Sequence, residues 1–175
     1  KQEAVQMKIE VTQATVGDKS LIQRMMELYQ YDFSEFEKND LDSHGSFGYP
    51  WLDHYWCENG RYPFIVYVDR KISGFVLVNQ KTYLPSSEWA ISEFFIMRRY
   101  RRQGVGKAVA FSIFDRLRGK WEVHEIEDNV PSQLFWRKVI SDYTHGQYSE
   151  TNLSDERSRG HIKCFENREK SLTLK

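Results

Sequence analysis

One segment constrains this 175-residue chain more than any other: an apolar run, an arginine- and glycine-rich turn and a helical pattern follow one another directly. The apolar run, Trp89 to Met97, predicts a β-strand. Residues 105–118 repeat apolar side chains at helical spacing, and Gly119 is well placed to end that helix. Between strand and helix the sequence reads Arg101-x-x-Gly104-x-Gly106. This order of elements indicates a mixed α/β fold.

The turn has the properties of an anion site. The first N–H groups of a helix have no intrahelical partner, and the helix dipole is positive at that end. Gly104 and Gly106 remove side chains that would keep phosphate oxygens away from these amides. Five cations flank the glycines: Arg98, Arg99, Arg101, Arg102 and Lys107. The segment therefore predicts a phosphate-binding loop.

Two common nucleotide loops are disfavoured by identifiable residues. A P-loop needs Ser or Thr after its Gly-Lys pair, but Ala108 follows Gly106-Lys107. A dinucleotide-binding loop would need glycine at the position of Val109. The phosphate ligand thus belongs to another class.

The rest of the chain supplies further strands and helices around this unit. Alternation and helical spacing predict the following elements: a strand at Met7 to Ala14, a helix around residues 21–29, a hairpin of Phe64 to Val68 with Phe75 to Gln80, a strand at Trp121 to Ile126, a helix after Pro131, and weaker strands at Tyr143 to Ser149 and His161 to Glu166. We expect residues 1–6 to be an extension or tag remnant and residues 7–175 to form a single domain.

The composition limits the classes of binding partner and the cellular compartment that we expect. Lysine plus arginine and aspartate plus glutamate number 25 each, so the net charge is zero, which argues against nucleic acid or an anionic membrane as the main partner. Cys57 and Cys164 are too few and too far apart for a disulfide framework and fit a reducing compartment. Residues 1–6 contain no apolar signal region, and no apolar run approaches the ~18 residues of a membrane span, so the expected location is cytoplasmic.

The glycine loop, with its strand, its helix, the next strand, Asn129 and the Phe135-Trp136 helix, closely resembles the acyl-CoA site of the GNAT superfamily of N-acyltransferases. The order of elements from Met7 onward is similar to that family as well. The resemblance implies a mixed, mostly antiparallel central sheet flanked by helices, in which splayed central strands form a coenzyme A cleft. It also implies acetyl-CoA as the acyl donor, without a metal.

The resemblance assigns cofactor contacts residue by residue. It implies that the pyrophosphate lies on the loop residues Arg101, Arg102, Gln103, Gly104, Val105, Gly106 and Lys107. The pantetheine arm would run along the strand at Phe95, Ile96 and Met97, as an extended chain added to a strand edge. Asn129 and Trp136 complete the implied set. Asn129 has a second interpretation, as the cap of the helix that begins near Pro131.

The resemblance implies direct attack of an amine on the thioester, with a base to remove the ammonium proton. Glu93 is the candidate base, since a carboxylate among apolar residues has a raised pKa; the alternative is a glutamate that faces solvent or pairs with an arginine. Trp136 stands where many family members have a tyrosine acid, and its indole N–H is not acidic enough for that role. Either Tyr143 acts as the acid or none is needed.

The expected acceptor site is the segment from Tyr31 to Pro50, which interleaves acids with aromatic residues. Tyr31, Asp32 and Glu35 are its candidate residues, because carboxylates and aromatic faces suit a cationic amine. The alternative is a solvated acidic loop. The partner would be a small-molecule or peptide amine, and a homodimer stays open.

Three functions from different classes follow. The first is an N-acetyltransferase, the second a coenzyme A-binding sensor on the same fold, and the third a nucleic-acid-binding module that uses the basic run. Zero net charge makes the third the least favoured.

Overall fold

The computed structural model describes residues 7–168, so the expected extension at residues 1–6 and the end of the expected domain at residues 169–175 lie outside the described residues. Its helices and strands follow in this order: β1 (Ile9–Gln13), α1 (Lys19–Phe33), α2 (His54–Cys57), β2 (Arg61–Val68), β3 (Lys71–Asn79), β4 (Trp89–Ile96), α3 (Val105–Arg116), β5 (Lys120–Ile126), α4 (Val130–Thr144), β6 (Ser149–Ser154) and β7 (Arg159–Glu166). Within this range no helix is long and apolar enough to cross a membrane.

The seven strands form one mixed sheet with the order β1-β2-β3-β4-β5-β7-β6. The pairs β1–β2, β2–β3, β5–β7 and β6–β7 are antiparallel, whereas β4 and β5 are parallel. The parallel register joins Trp89 to Trp121 and Ile91 to Val123. The expectation of a mixed, mostly antiparallel sheet with helices is confirmed.

The chain divides into two compact units. Within the described residues, the first comprises 7–79 and 92–109 and the second comprises 80–91 and 110–168. Strand β4 and helix α3 pass from one unit to the other, since the divisions fall after Ile91 and after Val109.

The first unit has its core between α1 and the strands. Apolar residues recur along α1 at helical spacing, and the buried members Ile22, Met26 and Tyr29 pack with Phe75 and Phe95. Burial of each large side chain contributes roughly 1.5–3 kcal/mol relative to exposure. This core holds the carboxyl-terminal turn of α1 against the strands, and that turn carries the residues of the site.

A tight turn and a close strand approach shape β3. Asp69 and Arg70 both have positive φ, 49° and 63°, as a two-residue hairpin turn between β2 and β3 requires. At Gly74 a Cβ would lie 2.0 Å from the carbonyl oxygen of Phe95, so only glycine lets β3 approach β4 this closely.

The second unit has an aromatic core and one buried ion pair. The rings of Phe114, Trp121 and Phe165 are in contact, with centroids 4.9–6.4 Å apart. Beside them, Lys163 Nζ lies 2.7 Å from Oε2 of Glu125, and both side chains are almost inaccessible to water.

The predicted strand from Tyr143 to Ser149 is wrong. Helix α4 continues through Thr144, because Val139, Ile140 and Tyr143 extend its apolar face toward α3 and β7. His145 then takes the left-handed conformation with φ 52° and ends the helix, and β6 begins only at Ser149.

Candidate active site

The arginine–glycine loop, residues 97–107, starts where β4 ends and finishes inside the first turn of α3. Arg102 and Gly104 both have positive φ, 61° and 81°, so the chain reverses sharply before the helix begins. The buried Val105 side chain anchors that helix start in the core. A Cβ added at Gly104 would meet no atom within 4 Å, so the space above the turn is open. The first amides of α3 therefore follow a turn with open space at Gly104, and helix starts of this kind can bind phosphate.

Two hydrogen bonds brace the loop from within. Arg101 Nε donates to the carbonyl oxygen of Ile96 at 2.6 Å, and Gln103 Nε2 donates to that of Arg99 at 2.7 Å. Both residues were predicted to contact the cofactor, Gln103 through its backbone amide. The structure adds a second property, that they hold the backbone in its turn.

Asp32, near the end of α1, fastens the loop from outside. Its Oδ1 accepts a 2.6 Å hydrogen bond from Arg98, and its Oδ2 accepts one from Arg101. Partial burial alone would raise the pKa of Asp32, but the hydrogen bonds from these arginines lower it below its usual value. Asp32 is therefore an ionised carboxylate that holds two of the cations beside the glycine turn.

A cavity of about 620 Å³ lies in the first unit, within the size range of small-molecule sites. Its wall combines aromatic side chains with ionisable ones: Tyr29, Phe33, Phe47, Tyr49 and Trp51 with Glu37, Lys38, Asp40 and Glu93. Aromatic faces and carboxylates together favour a cationic ligand.

Glu93, in the middle of β4, is the carboxylate of the cavity wall with the most altered acidity. Burial raises the pKa of Glu93 to about 7, although hydrogen bonds from Tyr29 and Tyr49 act in the opposite direction. The nearby charge of Glu37 adds to the increase. The Tyr49 hydroxyl donates to Oε1 of Glu93 at 2.9 Å. A carboxyl with this pKa can accept a proton and release it near neutral pH.

The phenols beside Glu93 are fixed as donors. Burial and the charge of Glu93 raise the pKa of Tyr49 far above its usual value, and burial followed by the same charge does so for Tyr29. Neither phenol ionises near neutral pH, so both remain donors to the carboxylate.

The segment at residues 46–48 contributes Phe47 and Gly48 to the cavity wall and is held by Glu27 of α1. The Glu27 carboxylate accepts hydrogen bonds from the Ser46 hydroxyl at 2.8 Å, the Phe47 amide at 2.8 Å and the Gly48 amide at 3.0 Å. Slight burial would raise the pKa of Glu27, but these hydrogen bonds lower it. Glu27 thereby fixes the segment that presents Phe47 and Tyr49 to the cavity.

The predicted acceptor residues lie outside this wall. Tyr31 is 66% exposed on α1, and Glu35 is exposed just after the helix. Asp32 contacts the arginine–glycine loop, as described above. The cavity is instead lined by Tyr29 and Phe33, one helical turn apart on the buried face of α1, and by residues 37–40 and 47–51. The acidic and aromatic segment from Tyr31 to Pro50 does contribute to the wall, through other members than those selected.

Of the other predicted residues, Phe95, Ile96 and Met97 lie at the end of β4 in the first unit, with the Phe95 and Ile96 side chains buried, whereas Asn129, Trp136 and Tyr143 belong to the second unit. Asn129 caps α4, since its Oδ1 accepts a hydrogen bond from the Ser132 amide at 3.1 Å. Trp136 is buried and packs on Phe114 and Phe135. The Tyr143 hydroxyl donates to Oδ1 of Asp115 at 2.9 Å, and burial raises the pKa of this phenol.

Sequence reasoning missed Tyr49, Ser92 and Tyr29. Tyr29 fitted the apolar face of a helix and was counted as core, which it also is. Tyr49 is 44 residues away from Glu93 in the chain, and no local pattern connects them. Alternation along β4 predicts Ser92 and Glu93 on opposite faces, whereas both line the cavity, so no local pattern marks Ser92.

Comparison with known families identifies the family of this chain. The model described as the acetyltransferase (GNAT) family matches residues 22–140, more than half of the chain. The chain belongs to the GNAT acetyltransferase family. The activity of that family, acyl-CoA-dependent N-acetylation, is consistent with an anion-binding loop and a separate cavity that contains a carboxylate of raised pKa.

Solved structures of GNAT proteins share the fold at low sequence identity. An acetyltransferase from Thermus thermophilus is 12% identical with a TM-score of 0.62, over 91% of this chain and 97% of that one. An aminoglycoside acetyltransferase in complex with coenzyme A is 9% identical with a TM-score of 0.62, over 91% and 95%. The ribosomal-protein-S18-alanine N-acetyltransferase of Escherichia coli is 10% identical with a TM-score of 0.57, over 96% and 99%. Comparison with curated proteins gives no match.

Proposed function

We propose that this GNAT protein transfers an acetyl group from acetyl-CoA to the primary amine of a cationic acceptor bound in the aromatic and acidic cavity. Glu93 serves as the general base. The observation that carries the proposal is the position of Glu93: it lines the cavity, accepts a hydrogen bond from Tyr49 and has its pKa raised by burial to about 7.

The donor side rests on the fit of the arginine–glycine loop to a pyrophosphate. The open space at Gly104 admits phosphate oxygens to the amides of residues 103–107, and Arg102 and Lys107 add positive charge. The pantetheine arm would run along Phe95, Ile96 and Met97, on backbone groups other than the Ile96 carbonyl, which accepts from Arg101, and the Met97 amide, which donates to the Ser73 carbonyl at 2.8 Å. Acetyl-CoA supplies the thioester that the amine attacks.

The acceptor side rests on charge and size. Glu37, Asp40 and Glu93 bring negative charge to a wall that also contains Lys38, so the local balance favours a cation. Tyr49 and Trp51 offer ring faces to an ammonium group or its alkyl stem. A free primary amine with a pKa of about 10 arrives protonated and is not nucleophilic until it loses that proton.

Glu93 is suited to remove the proton. A base is most effective when its pKa lies near the working pH, because it is then largely ionised and still binds a proton. With a pKa of about 7, half of the Glu93 carboxyls are ionised at neutral pH. Donation from Tyr49 keeps the carboxylate oriented between transfers.

The leaving thiolate needs no acid in this proposal. A thiol with a pKa near 8.5 leaves as its thiolate with little assistance. Tyr143, the acid suggested by the sequence, donates its hydroxyl proton to Asp115, and burial makes the phenol less acidic. We therefore assign no residue to protonation of the sulfur.

The test is a panel of primary amines incubated with acetyl-CoA, with free thiol release as the readout and mass spectrometry of the acetylated product. We expect release with at least one cationic amine and a large loss with Glu93→Gln. Acetyl-CoA binding without release across the panel would favour the coenzyme A sensor instead. Absence of binding at millimolar acetyl-CoA would contradict both functions.

A further inference from the structure

The Arg101 side chain joins the end of β4 to the last turn of α1. Its Nε donates to the carbonyl oxygen of Ile96 at 2.6 Å, and its Nη2 donates to Oδ2 of Asp32. The guanidinium also lies 5.8 Å from the ring centroid of Phe95, whose ring packs on Tyr29 of α1. Arg101 thus connects the strand end, the helix and its own loop, all within the first unit.

A second arginine of the loop meets the same carboxylate. Arg98 Nη2 donates to Oδ1 of Asp32 at 2.6 Å, and Arg98 Nε donates to this oxygen at 3.1 Å. The backbone between the two arginines forms one tight turn. In it the Tyr100 amide donates to the Met97 carbonyl oxygen at 2.9 Å, and the Arg101 amide donates to that of Arg98 at 3.2 Å. Each oxygen of Asp32 therefore holds one end of this turn.

Asp32 lies at a position that its own helix does not favour. It comes one residue before the end of α1, where the negative end of the helix dipole repels a carboxylate. The last turn of α1 contains no basic residue to offset this repulsion. The Asp32 side chain is only 18% exposed, so water stabilises its charge little. The charge of Asp32 is therefore stabilised by the arginines of the loop.

We propose that Asp32 is a positioning residue for the cofactor: by holding Arg98 and Arg101 it fixes the turn that leads from β4 into the glycines. The inference rests on the proposed function, since it requires that acetyl-CoA binds at the arginine–glycine loop. Arg101 then braces the loop, because two of its nitrogens already donate to protein oxygens. The phosphates are met by the amides of residues 103–107 and by cations such as Arg102.

This role and simple electrostatics predict opposite effects when the Asp32 carboxylate is removed. A negative charge close to an anion site repels the anion, so loss of the charge alone would tighten acetyl-CoA binding by about twofold. If Asp32 positions the loop, its loss weakens binding, because both arginines are released and the turn before the glycines is no longer fixed. The direction of the change in affinity distinguishes the two.

The experiment is calorimetry of acetyl-CoA binding to the full chain with Asp32→Asn, which keeps the size of the side chain and removes its charge. We expect the Kd to rise by roughly three- to tenfold, because charge-assisted hydrogen bonds that order the site are weakened. Glu35→Gln is the matched control. It removes an exposed carboxylate that acts on Arg98 through its charge, so its Kd should equal that of the wild type or fall.

Hydrogen exchange tests the loop without any ligand. Residues 97–107 should exchange faster in Asp32→Asn than in the wild type, because the amides of Tyr100 and Arg101 are bonded within the turn that Asp32 holds. Exchange in β2 and β3 of the same unit should stay unchanged, whereas a general loss of stability would accelerate it there as well.

Arg101→Lys is a second route to the same effect, since an ammonium on a flexible stem does not reproduce the fork that reaches both Asp32 and Ile96. It should weaken acetyl-CoA binding, and the double variant with Asp32→Asn should lose no more affinity than the weaker single variant. Additive losses would show that Asp32 and Arg101 act separately and would overturn the inference.

Unchanged or tighter acetyl-CoA binding in Asp32→Asn would also overturn it, as would unchanged hydrogen exchange in residues 97–107. In those cases the wild type still binds acetyl-CoA, and the proposed function stands. A wild type that binds no acetyl-CoA would instead refute the proposed function, and this inference with it.

Discussion

The Tyr49 hydroxyl lies 2.9 Å from Oε1 of Glu93, although 44 residues separate the two in the chain. Glu93 belongs to a central strand, and Tyr49 belongs to a loop that Glu27 of α1 holds by its backbone amides. The candidate base is thus built from three separate parts of the first unit. This arrangement makes the chemistry of Glu93 sensitive to changes that leave the strand intact.

The first prediction concerns the base itself. Glu93→Gln keeps the shape of the side chain and removes its ability to accept the ammonium proton. We expect kcat to fall by roughly 10²–10⁴-fold, the usual contribution of general base catalysis. The KM for acetyl-CoA should change little. Steady-state kinetics measure both, and Glu35→Gln, the same change at an exposed position, should retain full activity. Wild-type turnover in Glu93→Gln would remove this residue from the mechanism.

The second prediction concerns pH. The pKa of Glu93 is about 7 in the folded protein and near 4.5 otherwise, so the folded state binds more protons between these values. Stability should therefore rise as pH falls from 7 toward 4.5, and the acetylation rate should fall over the same range as the base is protonated.

Glu125 has its pKa raised to about 7 by burial as well, so a difference measurement is required. At pH 8, Glu93→Gln should be more stable than the wild type by about 1 kcal/mol, because it avoids a buried charge. This advantage should shrink as pH falls through 7. Thermal unfolding at several pH values provides the data, and a pH-independent difference would argue against the raised pKa.

The third prediction concerns the glycine turn. Gly104→Glu places a carboxylate in the open space beside the first amides of α3, where it would repel phosphate. We expect calorimetry to show no acetyl-CoA binding. Gly146→Glu is a matched control, because Gly104 and Gly146 have φ of 81° and 80° and neither has an atom within 4 Å of an added Cβ. The two variants carry the same backbone strain. Equal loss of affinity in both would mean that strain, and not the location of the carboxylate, is responsible.

The fourth prediction concerns the wall of the cavity. Glu27→Gln replaces a carboxylate that accepts three hydrogen bonds from residues 46–48 with a weaker, neutral acceptor. The loop should hold Phe47 and Tyr49 less firmly. We expect the KM for the amine to rise roughly three- to tenfold, because the amine loses about 1 kcal/mol of binding free energy when the loop is less well fixed. The KM for acetyl-CoA should stay constant. A parallel rise in both constants would point to a general loss of folding instead.

The fifth prediction concerns the leaving group. Tyr143→Phe removes a hydroxyl that donates to Asp115, at a cost of about 1 kcal/mol in stability. Because the proposed mechanism assigns no acid to the thiolate, kcat should stay within about twofold of the wild type. A loss of tenfold or more, without a change in acetyl-CoA affinity, would reinstate Tyr143 as the acid.

The parts of the fold that depend on local pattern were predictable. Apolar spacing located α1, α3, β2 and most of β3, although β3 begins at Lys71 and not at the expected Phe75. The boundary of α4 was predicted too early, because the apolar run around Tyr143 fits both a strand and the end of a helix. Only the packing of Tyr143 against Phe114 in the aromatic core of the second unit distinguishes the helix end from a strand.

The site was predictable only where its residues are consecutive. The glycine turn is a single segment, and its conformation follows from Gly104 and the helix start. Glu93 could be selected from its apolar neighbours. The residues that set the pKa of Glu93 come from distant segments of the chain. Only tertiary contacts, such as the hydrogen bond from Tyr49 to Glu93, bring them together. The same applies to Asp32, whose carboxylate was assigned to the acceptor and lies against Arg98 and Arg101.

Helix α1 contributes both to the cavity and to the support of the arginine–glycine loop. Tyr29 and Phe33 project from it into the cavity, and Asp32, between them in sequence, holds the arginines beside the glycine turn. If a bound amine displaced this helix, the Asp32 carboxylate would transmit the displacement directly to the arginine–glycine loop. Thermodynamic linkage then makes the influence mutual: an amine that tightens coenzyme A binding is itself bound more tightly, by the same factor, when coenzyme A is present. Asp32 is accordingly the residue through which the proposed amine site and the proposed coenzyme A site would influence each other.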